Sequence, residues 1–73
     1  MTRPSKQQIA ETKKSYPAGT RIELLSMEDP FSSIYPGEKG TVRVVDDMGT
    51  IHVDWDNGRR LGVIPGEDAF RKL

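Results

Sequence analysis

Thr41-Val42-Arg43-Val44-Val45-Asp46-Asp47-Met48-Gly49-Thr50-Ile51-His52-Val53-Asp54-Trp55-Asp56-Asn57-Gly58-Arg59-Arg60-Leu61-Gly62-Val63-Ile64 is the stretch that decides the fold. Apolar residues recur at every second position on either side of two turn-forming clusters, the period of half-buried strands and not of a helix. Residues 41–45, 50–55 and 59–64 therefore read as consecutive antiparallel strands. Their inward sets are Val42 and Val44, then Ile51, Val53 and Trp55, then Leu61 and Val63.

Turn chemistry sets the register. With Asp46-Asp47-Met48-Gly49 as a four-residue loop, Val45 faces Thr50, Val44 faces Ile51 and Val42 faces Val53, so apolar meets apolar. The second turn has two solutions. A two-residue Asn57-Gly58 loop sets Val53 against Gly62 and Asp54 against Leu61. A three-residue Asp56-Asn57-Gly58 loop, with Gly58 in the left-handed region, sets Val53 against Leu61, Ile51 against Val63 and Asp54 against Arg60. The second keeps one apolar face and is preferred. On this register His52 lies on the outer face, opposite Arg43 and Gly62.

Working outward, residues 21–25 read as a first strand with Ile22 and Leu24 inward, and residues 70–73 as a last one. Pro36-Gly37 and Pro65-Gly66 suit the central positions of type II turns. Glu67-Asp68-Ala69 then leaves room for a single 3₁₀ turn. Five short strands, a long first loop and a 3₁₀ turn before the last strand predict a mainly β fold. Its form is a small five-stranded antiparallel SH3-like barrel over residues 17–73 with a short N-terminal helix. An OB-fold is disfavoured, since its strands are longer and a helix usually sits between the third and fourth.

Residues 1–16 form a polar arm. Ser5 with Gln8 three residues later has the form of a capping box. Residues 7–14 contain no Gly, Pro or aromatic residue, so the arm is predicted to hold one short helix. Its apolar residues are Ile9 and Ala10, leaving two outcomes: a loose arm, or a helix docked through Ile9.

A 73-residue chain holds one domain with a small core. It contains no cysteine, so neither a disulfide nor a thiolate metal site staples it. Lys and Arg balance Asp and Glu at 11 each, without the basic excess usual in nucleic-acid binders. No apolar run approaches the roughly 20 residues that span a bilayer, and the first residues do not read as a signal peptide. A cytoplasmic location away from membranes is the expectation.

Several runs carry a resemblance. They are Tyr16-Pro17-Ala18-Gly19-Thr20-Arg21-Ile22-Glu23-Leu24-Leu25-Ser26-Met27-Glu28-Asp29-Pro30, Pro36-Gly37-Glu38-Lys39-Gly40-Thr41-Val42, Val45-Asp46-Asp47-Met48-Gly49-Thr50-Ile51-His52-Val53, Trp55-Asp56-Asn57-Gly58 and Ile64-Pro65-Gly66-Glu67-Asp68-Ala69-Phe70-Arg71-Lys72. Together they resemble an uncharacterised family of small bacterial and phage proteins, described as a domain of unknown function. The resemblance spans nearly the whole chain. It implies a setting in mobile elements and phage-like gene clusters, and no mechanism. A shorter likeness joins Gly40-Thr41-Val42 and Val53-Asp54-Trp55-Asp56-Asn57-Gly58 to the Mind-bomb/HERC2-type peptide-recognition domain and, loosely, to the KOW motif of ribosome-associated proteins. Both likenesses rest on a hairpin the fold itself demands.

The chemistry points away from catalysis. One histidine, His52, stands mid-strand, with the strand threonines Thr41 and Thr50 as the nearest hydroxyls, so no nucleophile–base pair is expected. The carboxylates do not follow the calcium-loop spacing: counted from Asp54, Asn57-Gly58 comes one residue early and the twelfth position is Pro65. No catalytic residue, metal site or cofactor is expected.

The aromatics are more informative. Trp55 closes its strand at the barrel's end, either capping the core or lining a groove. Phe31, Ile34 and Tyr35 sit in the long loop of residues 28–39, too apolar to be solvated cheaply. They either fold over the barrel end or offer a contact patch. The first expectation is a protein- or peptide-binding module, monomeric or weakly dimeric, whose contact surface is Phe31, Tyr35, Trp55 and Arg59, because aromatics and Arg dominate interface hot spots. Its partner would be a host or element protein. The alternative is a nucleic-acid-binding accessory protein using Arg43, His52 and Arg60.

Overall fold

In this computed structural model the described residues are 4–27 and 31–73. A helix α1 (Lys6–Ser15) leads into strands β1 (Arg21–Ser26), β2 (Lys39–Val45), β3 (Ile51–Trp55), β4 (Arg60–Val63) and β5 (Ala69–Lys72). All five strands join one antiparallel sheet in the order β4-β3-β2-β1-β5, which is compatible with the expected barrel.

The capping box forms. Ser5 Oγ accepts from Gln8 N at 3.1 Å, and Gln8 Oε1 accepts from Ser5 N at 2.8 Å. These bonds satisfy donors that the first helical turn leaves unpaired. Lys13 and Lys14 stand in the last turn, where the helix dipole favours cations. Of the two outcomes for the arm, docking through Ile9 is the one observed. Gly49 is buried at φ 88 in the β2–β3 turn, and a Cβ added there would lie 3.3 Å from Ile9 Cγ1 and 3.3 Å from Pro4 Cγ. Lys13 Nζ reaches Asp47 Oδ1 on the same turn at 2.7 Å. No residue of the helix is fully buried, so it rests on the sheet without entering the core.

The β3–β4 hairpin follows the bulged solution. Val53 pairs with Leu61, Ile51 with Val63 and Asp54 with Arg60, and Gly58 has φ 89. Gly58 N donates to Trp55 O at 2.9 Å and Trp55 N to Arg59 O at 2.8 Å, closing the turn. The two Pro-Gly turns also close. Glu38 N donates to Tyr35 O and Glu67 N to Ile64 O, both at 3.0 Å, with positive φ at Gly37 and Gly66.

Two expectations are corrected. The β2–β3 register does not run straight: Val42 faces Val53, but Val45 faces Ile51 and Val44 faces His52, with a bulge between Val42 and Val44. Val44 is consequently half-exposed and Val45 takes the inward place. Arg43 is the extra residue of the bulge, so His52 stands opposite Val44 and Gly62 and not opposite Arg43. The cause is the turn that follows. Asp46 Oδ1 accepts from Met48 N and Thr50 N, both at 2.9 Å, and this side-chain turn needs Asp46 as its first residue. The adjoining pair is then Val45 with Ile51. The second correction concerns residues 65–68. They form a turn with a bridge between Pro65 and Asp68, not a 3₁₀ turn, because Asp68 Oδ2 accepts from Ile64 N at 2.9 Å and draws the chain across.

The core comprises Ile22, Leu24, Ile34, Val42, Val45, Ile51, Val53, Trp55 and Val63, with Tyr16, Met27, Leu61 and Phe70 packed at its margin. Tyr16 and Phe70 meet edge to face at 5.5 Å between centroids, and Lys72 Nζ sits 5.0 Å over the Tyr16 ring.

Candidate functional site

The β1–β2 loop is built around one buried side chain. Ile34 is 2% exposed and belongs to the core. Ser32 Oγ accepts from Ile34 N at 3.0 Å, turning the chain inward there. The neighbouring aromatics point the other way: Phe31 is 92% exposed and Tyr35 is 66% exposed. The loop is therefore neither a lid nor a free strap. Ile34 anchors residues 31–38 to the core, and Phe31 and Tyr35 on either side of it stand exposed to solvent.

Glu38 ties this loop to the β3–β4 turn. Its Oε2 accepts from Tyr35 N at 2.6 Å and its Oε1 accepts from Asn57 Nδ2 at 3.0 Å. Asn57 Oδ1 in turn accepts from Arg59 N at 2.9 Å. One carboxylate thus couples Tyr35 to the turn that carries Arg59. The Arg21 guanidinium clamps the same turn from below, bonding Asp56 Oδ1 at 2.7 Å and Oδ2 at 2.6 Å, and Thr41 Oγ1 at 2.9 Å. The hydrogen bond from Arg21 holds the Asp56 carboxyl below the usual carboxylate range, with partial burial opposing it.

Of the residues expected to form a contact surface, the structure brings Tyr35 and Arg59 to one pole and leaves Phe31 exposed on the same loop. Trp55 departs from that set. It is 3% exposed, and its Nε1–H donates to Leu61 O at 2.9 Å. It caps the core and lines no groove, because a buried indole with its one donor satisfied gains nothing by turning outward. Glu38 and Arg21 are the residues that sequence reasoning missed. Glu38 had a signal: it is the fourth residue of the Tyr35-Pro36-Gly37-Glu38 turn, where a carboxylate can reach back to the first backbone N–H. Arg21 had none, since its partner Asp56 is 35 residues away.

The alternative set lies on the outer sheet face. Arg43 Nε and Arg60 Nε approach the same atom, Asp54 Oδ1, at 3.5 Å and 3.4 Å. His52 Nε2 lies 2.8 Å from Asp46 Oδ2, away from that cluster. The hydrogen bond with His52 is the main cause that keeps the Asp46 carboxyl below its usual range. Arg43 and Arg60 are thus adjacent but share a carboxylate, and His52 on β3 is tied to the β2–β3 turn through Asp46. Among the described residues no group of three or more His, Cys, Asp or Glu is placed to hold a metal ion. No described helix is long and apolar enough to cross a membrane.

Compared with known protein families, residues 5–73 match a family model described as Domain of unknown function (DUF4314). No curated protein and no solved structure matches the chain.

Proposed function

The chain belongs to the DUF4314 family, and from the geometry of its loop pole we propose that it is a non-enzymatic binding module that engages a protein or peptide through Phe31, Tyr35 and Arg59. The observation that carries this reading is the Ile34 anchor: a buried residue flanked by two large aromatic rings that stand exposed to solvent. Arg and aromatic side chains on a rigid support are the groups that most often dominate interfaces. The outer face offers less, since its two arginines lie at ion-pair distance from one shared carboxylate, Asp54. The bacterial and phage setting implied by the sequence resemblance makes a cytoplasmic host or element protein the partner sought, and an SH3-like barrel suits such recognition.

Affinity capture with full-length protein, including a nuclease-treated control, supplies the partner; binary affinities then supply the test. Phe31→Ser, Tyr35→Ala and Arg59→Ala should each weaken binding by about 1–2 kcal/mol with melting temperature unchanged. Retention of full affinity by all three variants overturns the reading.

A further inference from the structure

A second surface lies at the opposite end of the sheet. β2 and β3 run antiparallel from the Asn57 turn to the Asp46–Gly49 turn, and β4 returns to Ile64 beside the latter. There α1 stands over the sheet and leaves a half-open cleft of about 1030 Å³ between the helix, the β2–β3 turn and the β4–β5 connection. Ile9, Tyr16, Met48, Ile64 and Pro65 give its lining much of its apolar character. Met48 is 71% exposed and Ile64 43% exposed, so both present apolar surface to solvent. Met adapts its shape to varied partners.

The charge of the lining is one-sided. Among the described residues Glu11, Asp47 and Glu67 line the cleft, and no Lys or Arg does. Asp47 is held by Lys13 at 2.7 Å. Glu11 and Glu67 enter no ion pair among the described residues. A largely apolar lining that includes the carboxylates of Glu11 and Glu67 complements a segment that carries both apolar and cationic side chains. We propose that this cleft is a docking site for a short extended peptide segment in which Leu-like residues alternate with Lys or Arg. The apolar side chains cover Met48 and Ile64, and the cations meet Glu11 and Glu67. The helix helps to shape the site, seated by Ile9 against Gly49 and by the Lys13–Asp47 ion pair.

The test uses the full-length chain and three labelled eight-residue peptides: alternating Leu and Lys, alternating Leu and Glu, and alternating Ser and Lys. Fluorescence anisotropy should show binding of the Leu/Lys peptide and not of the other two. Amide resonances of Met48, Gly49 and Ile64 should move on titration. Glu11→Gln and Glu67→Gln should each weaken binding about two- to fivefold, the range of an exposed ion pair, while leaving the melting temperature in place. Tyr35→Ala should leave this titration unchanged, which separates the cleft from the loop pole. Equal binding of the Leu/Glu or the Ser/Lys peptide, resonance shifts confined to Tyr35 and Arg59, concentration-dependent shifts at Met48 without peptide, or no binding at all each overturns the proposal.

Discussion

Gly58 shows how one residue sets a register. At φ 89 it occupies a region that costs a side chain strain, and the hydrogen bond from its N to Trp55 O closes the turn. Gly58→Ala should therefore lower stability by about 1 kcal/mol or more, read from urea unfolding at constant m; an unchanged midpoint would count against the bulged turn. This residue was legible, because the alternative two-residue loop would have set apolar Leu61 against Asp54. Trp55 was legible only in part. Its place at the strand's inward end followed from alternation, but whether its ring faced a groove depended on an acceptor for the indole N–H. That acceptor is a backbone carbonyl, Leu61 O, which no side-chain pattern announces.

At the scale of elements, the β2–β3 hairpin shows where pattern reading fails. Val44 and Val45 are both apolar, so alternation admits either as the inward residue. The decision rests with Asp46, whose Oδ1 accepts two backbone donors and whose Oδ2 meets His52. The Asp46 carboxyl is held low by that His52 contact first, and the Asp56 carboxyl by the hydrogen bond from Arg21 first. In the unfolded chain both revert to the ordinary value near pH 4, so below about pH 5 the unfolded state binds more protons than the folded one. The stability these two carboxylates contribute is therefore fully present at neutral pH and lost as pH falls through their depressed folded values. Thermal melts between pH 7 and pH 2 should show this decline, and Asp46→Asn with Asp56→Asn should flatten it; a decline of equal steepness in the double variant would remove these groups as its cause. The helix makes a contrasting prediction. It places no fully buried residue and is joined to the sheet mainly through Ile9 and Lys13. A chain beginning at Tyr16 should keep the sheet intact, since Tyr16 packs on Phe70. The loss should be about 1–2 kcal/mol, one half-buried aliphatic side chain plus an exposed ion pair. Strand chemical shifts that collapse on this truncation would show the arm to be part of the core.

For the whole molecule, the distribution of charge matters more than its sum. The chain is neutral, which by itself leaves room for a basic stripe on one face and an acidic one on another. The fold instead sets charges beside their opposites. Arg21 meets Asp56, Arg43 and Arg60 share Asp54, and Arg71 meets Glu23, so each of these guanidinium groups is already facing a carboxylate. A phosphate backbone gains affinity by releasing counterions from cations that are free to replace them. Arginines committed to carboxylates gain less, because each phosphate contact must displace an existing pair. Arg43 and Arg60 carry one uncompensated positive charge between them, and His52, the third member of that set, is turned toward Asp46. The expected outcome is therefore no detectable binding of single- or double-stranded DNA or RNA in anisotropy titrations at low salt, where electrostatic association is strongest. Binding that appears at low salt and weakens steeply as salt rises would reverse this conclusion. If Arg43→Gln and Arg60→Gln then each reduced the salt slope by about one, the outer face and not the loop pole would be the working surface of the protein.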